Sequence, residues 1–105
     1  MPTGRLGALD LAAHTDTTLY TVPAATVGTV NVSLCNRGTA AASVRIAAAA
    51  AATPTNAEFI EFDVVLPPNG VLERTGIVIH AGVRIVVRAN QTNVSAVCWG
   101  FEEAA

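Results

Sequence analysis

Apolar and polar residues alternate in short runs along most of this chain, and turn residues interrupt the runs repeatedly. A period of two is typical of half-buried β-strands, because successive side chains of a strand point to opposite faces. No long run with helical periodicity separates the strand-like runs, which disfavours parallel βαβ units. The pattern predicts an all-β domain, a single antiparallel β-sandwich of about seven or eight strands. Both a jelly-roll-like and an immunoglobulin-like arrangement fit this pattern.

Proline, glycine and asparagine mark where the predicted strands end. The strands cover residues 17–22, 29–34, 44–46, 60–66, 71–75, 77–80, 83–89 and 94–101. In 60–66, the residues Ile60, Phe62, Val64 and Leu66 form one predicted face and Glu61, Asp63 and Val65 the other. We therefore assign residues 17–103 to the sandwich domain and residues 1–16 to an N-terminal arm.

A run of six alanines, residues 47–52, leaves two interpretations open. Alanine is the best helix former by intrinsic propensity, yet an isolated helix of this length is marginal in water. The preceding residues Val44 to Ile46 continue the strand pattern, so we favour a strand that runs into small residues. Alanines there would allow a neighbouring sheet or subunit to approach closely.

The composition indicates a weakly charged surface. Of 105 residues 51% are hydrophobic and only 13% are charged, about half the usual share of charged residues. Lysine is absent, and six arginines are scattered along a chain with a net charge of −2, so no basic stripe offers itself to nucleic acid. Such a surface suits burial against protein partners.

Neither secretion nor membrane insertion is expected. The first residues lack the apolar run of a signal peptide, and the longest weakly polar stretch, residues 40–52, is shorter than the ~20 residues of a membrane span. Without secretion, Cys35 and Cys98 are expected to be reduced thiols in the core. Whether they form a disulfide is left open by the sequence.

The sequence predicts no catalytic, cofactor-binding or metal-ligating residue. His14 and His80 lack metal-ligand spacing to a cysteine or carboxylate, and nothing directs Cys98 to a histidine base. Two other groups of polar residues are interpreted as solvated. They are the segment with Asp10, His14 and Asp16, and the terminal pair Glu102 and Glu103.

Trp99 shares a strand face with Val97 and Phe101, and we expect it in the core in preference to an interface. An immunoglobulin domain is the weaker alternative for the fold. Its tryptophan lies between the two cysteines and its corner tyrosine stands two residues before the second cysteine, whereas here Trp99 follows Cys98 and Ala96 replaces the tyrosine.

Two segments carry a resemblance to a known group of proteins. Both resemble segments of small virion structural proteins of tailed bacteriophages. The first is TLYTVPA at residues 18–24, which resembles a "LYTVPA" strand of that group. The second is CNRGT at residues 35–39, which resembles its "CNR/CNQ-x-GT" hairpin. Residues 66–79 and 94–102 are similar to the mid-chain turn and strand and to the closing strand of that group. The alanine-rich run and the absence of lysine depart from its typical members.

The resemblance implies a non-enzymatic component of the virus particle, assembled in the host cytoplasm. The first expectation is a capsid decoration (cement) protein that contacts the major capsid protein or other virion proteins. The alternative is a tail fibre, collar or baseplate module that binds a host-surface glycan or protein through loops at 53–56 and 90–93. A homo-oligomer is expected, with a trimer favoured on a symmetric lattice. Arg45 and Arg84 are the hypothesised subunit contacts.

Overall fold

Two four-stranded antiparallel sheets form the molecule in the computed structural model, which describes residues 3–105. The strands are β1 (Thr3–Asp10), β2 (Thr17–Thr21), β3 (Thr26–Asn36), β4 (Ala42–Ala49), β5 (Phe59–Leu66), β6 (Val71–His80), β7 (Arg84–Ala89) and β8 (Val94–Ala104). A short 3₁₀ helix, Asn56–Glu58, precedes β5. The predicted all-β sandwich is confirmed.

The strand order is nested. Sheet A has the order β1-β8-β3-β6 and sheet B the order β2-β7-β4-β5. The first strand of the chain therefore pairs with the last. Likewise, β2 pairs with β7, β3 with β6 and β4 with β5. The chain can be described as one long hairpin, closed between β4 and β5 and folded over so that successive pairs fall in alternate sheets.

Inward positions of both sheets supply the core. Val30, Val32 and Leu34 alternate inward along β3, and Ile85 and Val87 face them from β7, all fully buried. Each such side chain contributes roughly 1.5–3 kcal/mol on leaving water. The period of two along these strands is therefore enforced by burial of one face.

The prediction that residues 1–16 form an arm outside the sandwich is wrong for the residues from Thr3 onward. Strand β1 is the edge strand of sheet A and pairs with β8 from Thr3, opposite Phe101, to Asp10, opposite Ser95. Its Gly7 lies against β2, where a Cβ atom would come within 2.3 Å of the Leu19 carbonyl oxygen. Met1 and Pro2 lie outside the residues that the structure describes.

The alanine run continues β4 as a strand to Ala49, and residues 50–53 then bend away. Ala47 and Ala49 are fully buried on the outer face of sheet B, where they pack with Val86 beneath Phe59. The small side chains leave room for this ring, so the close neighbour is the chain's own β5.

A bulge in β5 overturns one predicted side-chain orientation. The register of β4 and β5 shifts between Val44 and Ile46, and Asp63 has a positive φ of 52° at the irregularity. An extra residue in one strand reverses which side chains point inward beyond it. Phe62 is consequently exposed at 55%, although the alternation placed it on the same face as Leu66.

One polar pair joins the sheets through the core. The Tyr20 hydroxyl on β2 donates a 2.5 Å hydrogen bond to Glu102 Oε2 on β8, and both residues are buried. The prediction that Glu102 is part of a solvated tail is therefore wrong, whereas its neighbour Glu103 is exposed. Burial and the adjacent carboxylate raise the pKa of the Tyr20 phenol far above its ordinary value.

Candidate functional site

The two outer faces of the sandwich differ in chemistry, and each contains a candidate site. On sheet A the outward positions of β3, β6 and β8 carry a group of large apolar side chains, which we call the apolar face. Its members are Val27, Val71, Val78, Val97, Trp99 and Phe101.

The strand register brings these side chains into adjacent rows. Phe101 on β8 lies opposite Thr29 on β3, and Thr29 lies opposite Val78 on β6. Val78 is exposed at 67% and Phe101 at 42%. The outward positions of β3 between the large apolar side chains carry Thr29, Asn31 and Ser33, so the face combines apolar side chains with small uncharged polar ones.

Trp99 lies one row along from Phe101, on the same outer face of β8. The expectation that its side chain belongs to the core is wrong, because the inward positions of β8 are Val94, Ala96 and Cys98. Trp99 is half-buried among its neighbours on the sheet surface. An indole in that position has an apolar ring available to a partner.

Charge is sparse on the apolar face. Apart from Glu103, no outward position of the central strands β3 and β8 carries a charged side chain. The charged residues lie on the edge strands, with Arg5 and Asp10 on β1 and Glu73 on β6. Uncharged centres with polar rims are typical of protein interfaces.

A shallow depression of about 440 Å³ lies at one end of this face. Strands β1 and β8 line it with Ala8, Asp10, Ser95 and Val97, among others. The Arg37 guanidinium donates to Asp10 at 2.5 Å on its margin. The depression widens the apolar face toward β1.

The two cysteines lie on opposite faces of sheet A and are not joined. Cys98 is fully buried in the core, as expected, and burial raises the pKa of its thiol to about 11. Cys35 takes an outward position on β3, opposite Val71, so the expectation that it lies in the core is wrong.

Sheet B has a polar groove on its outer face instead. The groove has a volume of about 270 Å³ and is lined by His14, Ser43, Arg45, Asp63, Arg88 and Asn90. These residues come from β4, β5, β7, the segment before β2 and the turn after β7. We call this site the polar groove.

Arg45 is held in the groove by an ion pair and by aromatic rings. Its Nε donates to Asp63 Oδ1 at 2.6 Å, and its guanidinium carbon lies 4.1 Å from the centre of the Phe62 ring. The ion pair lowers the pKa of Asp63 and raises that of Arg45. Phe59 meets Phe62 edge to face with 4.9 Å between ring centres.

The opposite wall of the groove is fixed by backbone contacts. The Asn90 side-chain oxygen Oδ1 accepts a hydrogen bond from the Ser43 backbone N–H at 2.9 Å. The Asn90 backbone N–H in turn donates to the Ser43 carbonyl oxygen at 3.0 Å. Arg88 is held less tightly, because its nearest contact to Asp16 is 3.6 Å, beyond hydrogen-bond distance. Of the two arginines that line the groove, Arg88 therefore has the weaker internal ion pair.

The residues singled out from the sequence are only partly brought together. Asp10 pairs with Arg37 whereas His14 lines the polar groove, so the Asp10–His14–Asp16 segment does not form one cluster. The loop at 53–56 comes after β4 and the loop at 90–93 comes after β7, beside the start of β4, and of these residues only Asn90 lines the groove.

The hypothesised contacts Arg45 and Arg84 both lie outward on sheet B. Arg84 Nε is buried and has no hydrogen-bond partner within the chain, whereas Arg45 is paired internally. Their role between subunits stays a prediction.

Within residues 3–105, no group of three or more His, Cys, Asp or Glu side chains is arranged to hold a metal ion. The same residues include no helix with the length and apolarity needed to span a bilayer. No protein-family model matches the chain, and no curated protein matches its sequence.

Proposed function

We propose that this protein is a non-enzymatic structural component of a bacteriophage particle, a capsid decoration protein that docks on the major capsid protein. The observation that carries the docking role is the apolar face of sheet A, whose central strands present Trp99 and Phe101 and carry a single charged side chain, Glu103, among their outward positions. The assignment to a bacteriophage particle depends on the resemblance of residues 18–24 and 35–39 to virion proteins.

The nested strand order also supports a structural protein of a virus particle. An order in which strands pair first with last and so on inward, over eight strands in two sheets, is that of a jelly roll. An immunoglobulin constant domain has seven strands in sheets of different composition. We therefore infer the jelly-roll alternative, an architecture found in viral capsid and lectin domains.

The size of the apolar face suggests how it is used. Three strands at about 4.8 Å spacing and roughly nine residues of about 3.3 Å each give a face of about 430 Å². A standard protein interface buries about 800 Å² per partner, so one face alone supports a weak contact. Several copies linked in a homo-oligomer, with a trimer favoured, would bind a lattice far more tightly than one.

Binding that is specific to the assembled shell would stabilise it. A ligand that binds only the intact state shifts the equilibrium toward that state by mass action. A decoration protein bridging neighbouring capsid subunits has this effect, because its docking contacts are lost when the shell opens. No chemistry is required of the chain for this function.

A matched pair of valines tests the docking role. Val78 on sheet A and Val65 on sheet B are almost equally exposed, at 67% and 63%. We expect V78R to reduce binding to heads that lack the protein by about 10- to 100-fold, because an unpaired charge would be buried at the interface. V65R, the control, should bind as the unchanged protein does.

The measurement is co-sedimentation of purified chain with heads, after circular dichroism has shown that both variants fold. Equal binding by V78R and the unchanged protein would remove the apolar face from the proposal. Sedimentation velocity of the free chain at micromolar concentration tests the oligomer. A strictly monomeric chain that has no affinity for heads would contradict the decoration function.

A second candidate function is an appendage module that binds a host-surface glycan or protein. The polar groove of sheet B favours it, because a concave site with several convergent polar groups is typical of small-ligand sites. Labelling the protein in intact particles separates the two candidates. Density on the head supports decoration, and density confined to the tail supports the appendage.

A further inference from the structure

We infer that the polar groove of sheet B binds a neutral saccharide. This site lies on the sheet opposite to the apolar face and is not needed for docking on a capsid. It would give the second candidate function its ligand class, and it can also operate in a protein that decorates the head.

Charge balance argues for a neutral ligand. Two guanidinium groups, Arg45 and Arg88, lie near two carboxylates, Asp63 and Asp16. A phosphate or carboxylate ligand would be repelled by the like charge of Asp63, and an ammonium ligand by the like charge of the arginines. A neutral ligand with hydroxyl groups avoids both repulsions, and each hydroxyl can both donate and accept a hydrogen bond.

The groove offers the mixture of donors and acceptors that adjacent hydroxyls require. Asp63 accepts, Arg88 donates, and Ser43 and His14 can do both. Asn90 uses its carbonyl oxygen on the Ser43 amide, so its NH₂ group is the end that can donate to a ligand. A saccharide ring carries neighbouring hydroxyls that can satisfy such groups in pairs.

An aromatic ring lies beside these polar groups. Phe62 is exposed at 55%, and Arg45 covers one side of its ring. The C–H faces of a sugar ring are apolar and pack on aromatic rings. The bulge at Asp63 turns Phe62 outward, so the same irregularity places both the ring and the carboxylate at the site.

Backbone strain points to the same place. Among residues 3–105, five residues other than glycine have positive φ angles, and two of them line the groove, His14 at 56° and Asp63 at 52°. Such strain is often retained where a site requires a particular orientation. Here the two strained residues lie on separate segments of the chain and line one groove.

The size of the groove limits the size of the ligand. A volume of about 270 Å³ is just below the range of about 300–1,000 Å³ typical of drug-sized ligands. The groove therefore suits one or two sugar units. Several copies on one particle would raise the effective affinity for a polysaccharide.

The test is a titration of ¹⁵N-labelled protein, followed by amide chemical shifts in NMR spectra. The probes are glucose, galactose, mannose, rhamnose and N-acetylglucosamine, with inorganic phosphate as the charged comparison. We expect at least one sugar to shift amides lining the groove. N90A and R88Q should each weaken that binding at least fivefold.

A matched arginine provides the control. Arg5 is exposed on β1 of sheet A, on the other side of the sandwich from the groove, so R5Q should bind the sugar as the unchanged protein does. If N90A fails to fold, R88Q decides the question. Absence of groove shifts with every sugar, or stronger groove shifts with phosphate, would overturn the inference. V78R should bind the sugar as the unchanged protein does. Failure of the docking proposal can therefore be distinguished from failure of the sugar-binding inference.

Discussion

Removing the Tyr20 hydroxyl provides the sharpest test of how the two sheets are held together. In Y20F the ring stays in place beside Gly28, where the hydroxyl lies 3.1 Å from the position of a Cβ, and only the donor to Glu102 is lost. Glu102 remains buried on β8 with its partner gone. The change therefore isolates one polar contact between β2 and β8.

The expected cost is about 2–3 kcal/mol in the free energy of unfolding. A hydrogen bond to a charged group contributes roughly 1.5–3 kcal/mol, and a buried acceptor left without its donor retains its full desolvation penalty. For a domain of about this size, each kcal/mol shifts Tm by roughly 4–8 °C, so a decrease of about 10–20 °C is expected. No cavity larger than the hydroxyl oxygen is created.

The pH dependence gives an independent signature. The pKa of Tyr20 is raised above its ordinary value of 10.0 in the folded chain, first by burial and then by Glu102. Above pH 10 the unfolded phenol loses its proton while the folded phenol keeps it, so the unfolded state is favoured progressively. The stability that Tyr20 contributes is thus present below pH 10 and lost as pH rises above it. Y20F lacks this component, so its deficit should shrink in alkali.

Urea unfolding followed by tryptophan fluorescence, at pH 7 and through the alkaline range, measures both effects. E103Q is the matched control, because Glu103 is exposed and adjacent to Glu102 on β8. It should stay within about 0.5 kcal/mol of the unchanged protein. A similar loss in E103Q, or a Y20F variant as stable as the unchanged protein at pH 7, would refute the reasoning.

Three further changes test other parts of the fold. Cys35 should react with a thiol reagent in the native chain while Cys98, buried and with its pKa raised to about 11, should not; labelling of native C35S would contradict this. N36A should lose about 2–4 kcal/mol in urea unfolding, because the fully buried Asn36 NH₂ group donates to the carbonyl groups of Ala40, Leu66 and Pro67 and its oxygen accepts from the Gly38 amide. G7A should lose about 1–3 kcal/mol, since its new methyl group would overlap the Leu19 carbonyl, and an unchanged Tm would disprove that packing.

The sequence was sufficient for the fold class because one face of most strands is buried. Val30, Val32 and Leu34 are all fully buried, and the intervening residues face outward, so the period of two was visible directly. Strand β1 was missed because Gly4 and Gly7 interrupt its weak alternation. Its position depends on pairing with β8, a contact between distant parts of the chain that local pattern does not contain.

Bulges and face assignment limited what could be said of the candidate sites. Phe62 was expected beside Leu66 on one face, but the irregularity at Asp63 turns it outward into contact with Arg45. For Trp99, alternation identified the companions on its face but not which face was inward. The inward positions of β8 are filled by Val94, Ala96 and Cys98, and by Glu102, which is bound there by Tyr20.

The opposite orientation of the two outer faces makes the two proposals compatible. A chain that docks through Trp99 and Phe101 places sheet A against its partner, and sheet B then points away from that partner. The polar groove with Arg88 and Asn90 would remain open to solvent, separated from the docked surface by the full core of the sandwich. Substitutions at sites this far apart usually act additively. The double variant V78R/N90A should therefore lose head binding and sugar binding each to the extent of its single variant, and a larger combined loss would mean that the faces are coupled through the core.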